Sequence, residues 1–459
     1  MIYSDLIFIL VLFPLTAIIS LFDRSTEYKN LILIIASLIF FSWGRPFVVC
    51  LIFLSSLIDW LIGLGIGKAK ERKGLQRLLL ALDGIMNTGI FLVFGHNYLF
   101  DASEKLSLDA ALLPAGMGYY AIRGFFYAWD VFRGRVRPEK NPLCLLTYMV
   151  SFHLMLAGPA VSYCELEPQI REREVTTEKL SSGLNRLFTG FAKIVLLSGV
   201  FERIKLAGLN GAEITTLGCW LGMLSFFAQY YFIFTGLCDM SKGMGLVGGF
   251  VYPDNYKDIE PDGLFTGMVK SFNTTVVKFF SDLLGIGREH SNTYNAVMSI
   301  VCAAIVSLWY EAKLNYLLVG LAAGALIALE KLVLEKLLSG LPAPFKYAYL
   351  VITAMVVFGG LYFDSMYGYQ KWLLALVGVN TKYALSVSVK SAVLKNIVLI
   401  LIAFFIVCPH AKKLVLWVTD SAAAKGGRMY GAVRIMKTLC TAFVFLLSVI
   451  TLAVELSGV

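Results

Sequence analysis

Apolar runs of bilayer-crossing length, roughly 20 residues each, recur from one end of this chain to the other, and nothing else narrows the possible folds as far. The first part carries them at Leu6 to Leu21, Leu31 to Trp43, Val48 to Ile66, Leu78 to Phe94, Ala110 to Trp129 and Leu143 to Val161. The second part carries them at Leu184 to Val200, Ile214 to Phe234, Ala296 to Trp309, Leu314 to Leu334, Tyr347 to Tyr362, Leu394 to Cys408 and Leu439 to Leu456. At 58% hydrophobic and 15% charged, the chain is far more apolar than a soluble globule. Hydrocarbon forces each backbone N–H and C=O to find its partner within the protein, so continuous apolar runs predict helices. The expected fold is all-α, a polytopic integral membrane protein of about a dozen helices. No polar stretch is long enough for a soluble domain and no repeat is evident, so residues 1–459 read as a single membrane-embedded domain.

The net charge of +9 sits in loops between the apolar runs. That distribution excludes a nucleic-acid face and reports topology instead. Lys68, Lys70, Arg72, Lys73 and Arg77 form one basic loop, and Arg133, Arg135, Arg137 and Lys140 a second. Lys412, Lys413, Lys425, Arg428, Arg434 and Lys437 form a third. By the positive-inside rule all three are expected on the cytoplasmic face, with the acidic loop His96 to Asp109 outside. The run Leu6 to Leu21 lacks a basic flank and a small-residue cleavage site, and reads as a retained first helix. The eight cysteines lie mostly inside apolar runs with no CxxC pair, so they read as small buried hydrophobes, and no metal site is expected.

Polar residues interrupt the apolar sequence between Phe226 and Ile286, at Gln229-Tyr230-Tyr231, Asp239, Pro253-Asp254-Asn255-Tyr256 and Ser271-Phe272-Asn273-Thr274-Thr275. Polar groups at membrane depth cost several kcal/mol unless partnered or bathed by water, so this stretch marks a functional cavity. Asp239 lies between Gly236 and Gly243 and needs a partner, for which Lys242 and Gln229 are the nearby candidates; helix packing and cavity lining remain equal readings of it.

Four segments in order then resemble the membrane-bound O-acyltransferase (MBOAT) family, in its bacterial alginate O-acetyltransferase and teichoic-acid D-alanyl-transfer branch. Pro114-Ala115-Gly116-Met117-Gly118-Tyr119-Tyr120 leads into Tyr127-Ala128-Trp129-Asp130-Val131-Phe132-Arg133-Gly134. Phe152 through Ala157-Gly158-Pro159 is followed by Glu167-Pro168-Gln169. Phe234-Thr235-Gly236-Leu237-Cys238-Asp239-Met240 precedes Gly249-Phe250 and Pro253-Asp254-Asn255-Tyr256. The family's tryptophan- and histidine-bearing segment falls on Val269 to Gly285, where Asn273 replaces a histidine, Ser281 an arginine, and Asp282 is kept. Its second histidine motif falls on Leu308-Trp309-Tyr310-Glu311-Ala312, where Tyr310 stands in place of the catalytic histidine. The resemblance implies helices around a central cavity, with Asn273 and Tyr310 at the catalytic positions and Asp239, Trp309, Asp282 and Gln229 lining the cavity.

Moving an acyl group from a thioester to a sugar hydroxyl needs a base near neutrality and donors for the developing oxyanion. Histidine titrates near 6.5 and tyrosine near 10, so a tyrosine is a neutral phenol and a poor base. Candidate substitute bases are Glu311 and His290; each also reads as an ordinary surface group, and His153 as a hydrogen-bonded helix residue. Two readings follow. One is an O-acyltransferase with a degenerate site; the other is a pseudoenzyme acting as scaffold or acyl/lipid-binding subunit of an envelope assembly. The resemblance implies no bound cofactor, an acyl-CoA or acyl-carrier thioester as co-substrate, and a polysaccharide or teichoic-acid acceptor. It also implies a multi-pass protein of the bacterial inner (plasma) membrane. The partners it suggests besides the bilayer are an extracytoplasmic SGNH-type acetyltransferase or esterase, an acyl carrier protein, or an intact homologue.

Overall fold

A computed structural model describes residues 5–457, except 24, 44–45, 92–116, 157, 212, 259–263, 288–289, 311–312, 364, 380, 382, 409–410, 412, 416, 419–420 and 422–426. The helices of the first stretch are α1 (Phe13–Ile19), α2 (Thr26–Ser42), α3 (Phe47–Lys68), α4 (Lys73–Ile90), α5 (Met117–Phe132), α6 (Pro142–Val150) and α7 (Tyr163–Arg171). Next come α8 (Thr177–Ala192), α9 (Gly199–Leu209), α10 (Thr216–Val247), α11 (Phe265–Ser271), α12 (Thr274–Leu283), α13 (Asn292–Tyr310) and α14 (Leu314–Leu329). The last are α15 (Glu335–Ser339), α16 (Ala343–Gly359), α17 (Met366–Leu376), α18 (Val387–Lys395), α19 (Ile397–Val407) and α20 (Gly427–Ser457). Among the described residues no strand forms, and a lone antiparallel bridge joins Tyr256 to Phe272. The all-α expectation holds.

Among the described residues five helices are long and apolar enough to cross a membrane, or six if the bent pair α18 and α19 counts as one span. They are α3, α10, α13, the continuous Leu314–Leu338 and Gly431–Ser457. The expected dozen is larger because several apolar runs do not become one straight helix. Leu6 to Leu21 gives a π-helical turn, Phe8–Leu12, running into the short α1. Leu143 to Val161 stops at Val150, turns through a 3-10 segment at Phe152–Leu154 and passes through a loop to Tyr163. The acidic loop His96 to Asp109 lies outside the described residues, as do Lys412 and Lys425 of the third basic loop.

The chain divides into two units, 1–180 with 244–362, and 181–243 with 363–459. In the first, a T-shaped aromatic cluster anchors the start of the chain, with Phe8 5.4 Å from Phe40 and 5.7 Å from Phe152 between ring centres. The polar residues of the first motif hold helices together: Asp130 accepts from the Cys164 N–H at 3.1 Å. Buried Glu139 accepts from the Tyr163 hydroxyl at 2.6 Å and Arg171 at 2.5 Å. Helices α13 and α14 pack through glycines; a Cβ on Gly324 would sit 2.5 Å from the Ile300 Cα. Buried Glu330 accepts the first N–H groups of α11, from Phe265 at 2.9 Å and Thr266 at 2.8 Å, where a carboxylate satisfies orphan donors.

In the second unit α8 and α10 cross at glycines, where a Cβ on Gly190 would meet the Gly236 carbonyl oxygen at 2.5 Å. That crossing delivers Arg186 and Lys193 to Asp239, at 2.8 and 2.6 Å. Asp239 thus meets cations from the neighbouring helix and from the π-helical segment that continues it, partners beyond the same-helix candidates Lys242 and Gln229. Gln229 accepts instead from Lys205 at 2.8 Å. Sequence proximity suggested partners on the same helix, but the glycines let a second helix come close enough to add its own.

Candidate active site

The break between α11 and α12 is the most tightly specified piece of the first unit. Chain 253–257 runs beside it, with Lys257 N–H donating to the Ser271 carbonyl at 2.9 Å and Thr274 N–H to the Asn255 carbonyl at 3.1 Å. Pinned on both sides, Asn273 adopts φ 49° and ψ 45°, the left-handed region; among the described residues no other non-glycine has a positive φ. Asparagine enters that region more readily than most residues because its short amide can bond locally.

Three separate motifs meet here. The Asn255 Oδ1 accepts from the Thr275 hydroxyl at 2.6 Å and its N–H at 3.2 Å. That fixes the Asn255 amide, so its Nδ2 faces Asn273 and donates to Oδ1 at 3.0 Å, and to the Gly158 carbonyl at 3.5 Å. The Thr275 hydroxyl in turn accepts from Ala160 N–H at 2.8 Å, tying in the Gly158-Pro159 turn. With its Oδ1 committed, Asn273 is left with an Nδ2 that is buried and has no partner. Buried polar groups are almost always paired, so a donor left free in a 1% exposed side chain is poised for a ligand oxygen.

The Trp309 and Tyr310 end of α13 borders α5. Trp309 packs edge-on against Tyr119, ring centres 4.6 Å apart, and its indole N–H reaches the Gly118 carbonyl at 3.5 Å. Tyr310 lies against Trp309, at 5.4 Å between ring centres, and is 46% exposed. The two motif positions thus differ in setting: Asn273 is sealed inside protein and Tyr310 opens outward. Helix α5 touches both elements, since Phe126 meets Phe279 of α12 at 3.7 Å between ring centres. Asp282 is half-buried near the end of α12.

Of the four histidines, His96 and His410 lie outside the described residues, as does Glu311. His290 is exposed, its ring tilted against that of Tyr294 at 4.4 Å between centres. His153 is buried and bonded through Nδ1 to the Tyr252 hydroxyl at 2.9 Å, a structural setting. Among the described residues no group of three or more metal-ligating side chains comes together. A cleft of about 320 Å³ opens where α3 and α5 end, lined by Lys70, Arg135 and Arg137 over Ile66, Val131 and Pro138. Asn255 and Thr275 carry the geometry around Asn273; the sequence offered them inside motifs, with nothing to show that they would bond each other.

The family model described as MBOAT, membrane-bound O-acyltransferase family, matches residues 139–363. A probable alginate O-acetylase AlgI of Pseudomonas fluorescens is 27% identical over 390 residues, covering 82% of this chain and 77% of that protein. The counterpart in Pseudomonas putida is 27% identical over 405 residues, covering 82% of each. A peptidoglycan O-acetyltransferase of Helicobacter pylori is 20% identical over 351 residues, covering 68% of this chain and 66% of that protein. The matched stretch contains the Gly158, Asn255, Asn273 and Trp309 segments that the fold draws around α5 and α12, and through it this chain is similar to the membrane-bound O-acyltransferase family and to the alginate O-acetylases.

Proposed function

We propose that the protein serves O-acylation of a cell-envelope polysaccharide in the bacterial inner membrane, passing an acyl group from a carrier thioester to a sugar hydroxyl, with its own transfer step slowed by Tyr310. The observation that carries the reading is the convergence of Gly158, Asn255, Asn273 and Thr275 on one unpaired, buried amide N–H. Such a donor suits the oxygen of a thioester carbonyl, which turns anionic as the hydroxyl adds to it. Collapse of that intermediate breaks the C–S bond and leaves an ester, while the hydroxyl proton ends on the released thiolate. The weak link is proton removal, because a phenol at the family's histidine position titrates about 3.5 units above an imidazole.

The cleft lined by Lys70, Arg135 and Arg137 supports an anionic donor, since CoA and phosphopantetheine both present phosphates to guanidinium and ammonium groups. The relatives' names, which specify alginate and peptidoglycan, support a polysaccharide acceptor. An intact homologue or an SGNH-type partner would supply the missing base or relay the acyl group. The test is radiolabelled acetyl thioester with alginate or peptidoglycan oligomers and the purified protein in nanodiscs. Slow labelling of the acceptor that disappears in Asn273→Ala supports the proposal. Neither transfer to nor retention of the acyl group, alone or with its envelope partners, defeats it. The exposed Tyr310 favours a second reading, a subunit that binds acyl donor without transferring it; donor retention with no acceptor labelling would select that one.

A further inference from the structure

Helices α3, α4 and α5 enclose a second polar cluster that acyl transfer does not use. Asp59 and Asp83 are each 0% exposed and Asn87 is 3% exposed. The Asn87 amide N–H₂ donates to Asp59 Oδ1 at 3.0 Å and to Asp83 Oδ2 at 3.3 Å, so a single amide nitrogen bridges the two carboxyl groups. Three acceptors remain without a partner: Asp59 Oδ2, Asp83 Oδ1 and Asn87 Oδ1. Two of them press on the bare face of Gly124, where a Cβ would sit 2.6 Å from Asn87 Oδ1 and 2.7 Å from Asp59 Oδ2.

Among the described residues no cation pairs with either aspartate. The neighbouring titratable groups have partners of their own. On α5, Tyr120 bonds Ser55, Ser56 and the Ile52 carbonyl, and Tyr127 accepts from the Glu139 N–H. Arg123 donates to the carbonyls of Tyr148 and Met149, and the Tyr148 hydroxyl to that of Val161. On α2, Lys29 lines a small cavity with His153 and Arg173. Two adjacent, buried carboxylates with one neutral donor between them cannot both stay ionised, and ionisable groups at membrane depth exist in partnership or carry ions and protons.

We propose that Asp59, Asp83 and Asn87 form a proton-binding site in the α3–α4–α5 bundle, in which the two carboxyl groups hold an exchangeable proton that Asn87 orients. The proton supplies the donor that the unpaired oxygens lack. Its linkage to folding has a definite sign: the folded protein holds a proton that the unfolded chain has released above about pH 4. Stability then falls as pH rises, by about tenfold in the folding equilibrium per pH unit for each proton retained.

The test is a pair of measurements on the full chain in detergent or nanodiscs. Thermal unfolding between about pH 6 and pH 9 should show the wild type losing stability relative to Asp59→Asn/Asp83→Asn, whose slope should be shallower by one proton. Infrared difference spectra should show a protonated-carboxyl C=O band in the wild type at neutral pH that the double variant lacks; if that variant does not fold, the wild-type band and its pH titration decide alone. Equal slopes, or no protonated-carboxyl band, overturn the proposal. Stabilisation by sodium chloride over choline chloride at alkaline pH, abolished in the double variant, would overturn it in favour of a metal cation on the same oxygens.

Discussion

Replacing Asn273 separates catalysis from backbone geometry, because the residue combines a left-handed backbone with a side chain that is half committed and half free. Asn273→Gly keeps φ 49° at no steric cost but removes the Oδ1 that accepts from Asn255. Leaving that buried donor short of its acceptor costs about 1–3 kcal/mol. Asn273→Ala loses the same bond and adds about 1–2 kcal/mol for holding a Cβ in the left-handed region. Glycine should therefore be the more stable variant. Asn273→Asp keeps an acceptor toward Asn255 and tolerates the backbone, yet puts an oxygen where the free N–H points. For acyl transfer the expected order differs from that for stability: all three remove the donor, and each should lose about 10²–10³-fold, or about 2.7–4 kcal/mol of transition-state stabilisation. Aspartate, repelling the oxyanion, should be lowest. The assay is transfer of labelled acetyl from thioester to oligosaccharide, run in the wild-type and Tyr310→His backgrounds, beside thermal unfolding of each variant. A folded Asn273→Gly protein with unchanged transfer would refute the assignment of the free amide to the oxyanion.

Tyr310→His should raise transfer at least tenfold, since a base near neutrality is typically worth a hundredfold or more; Tyr310→Phe should differ little from the wild type in the same assay. Glu330→Ala should destabilise the first unit by about 3 kcal/mol or more, because it strips the acceptor from two backbone N–H groups and the Tyr349 hydroxyl at once. Chemical denaturation in micelles measures it. Asp239→Ala leaves Arg186 and Lys193 without their carboxylate and should cost about 3–5 kcal/mol, with Asp239→Ala/Lys193→Met recovering part of the loss. Gly324→Leu should disrupt the α13–α14 crossing, and Gly324→Ala should cost about 1–3 kcal/mol, read as lowered thermal stability.

The helices and family were legible because apolar runs and motif order survive at low identity. Their breaks were harder to read. Nothing in Leu143 to Val161 announces that a helix stops at Val150, since the cause is tertiary: Phe152 N–H is drawn to Ser37 Oγ at 3.2 Å, and Tyr148 reaches across to Val161. The partners of Asp239 were missed for a related reason. Sequence ranks partners by separation along the chain, and the glycines at 190 and 236 overrule that ranking by bringing two helices into backbone contact. The buried pair Asp59 and Asp83 was invisible for the same cause; 24 positions apart on different helices, they read as two unremarkable acids until packing joins them.

Asn273 shows how much chemistry can outlast a substitution. An imidazole and a carboxamide both offer an N–H, so a site that needs a donor tolerates the exchange provided the backbone aims it, and here chain 253–257 and Thr275 do so. Tyr310 is a different exchange, because a phenol can donate like an imidazole but cannot take a proton near neutrality. On the proposed function, the two positions separate the reaction into its halves, stabilising the oxyanion and removing the proton. On that reading the chain keeps a framework for the first and carries a phenol where the second needs a base. A protein in that condition can bind and polarise an acyl thioester and still wait on another group for the proton, so adding a purified partner that supplies a base should raise acceptor labelling in the wild type and leave the Asn273→Asp variant silent.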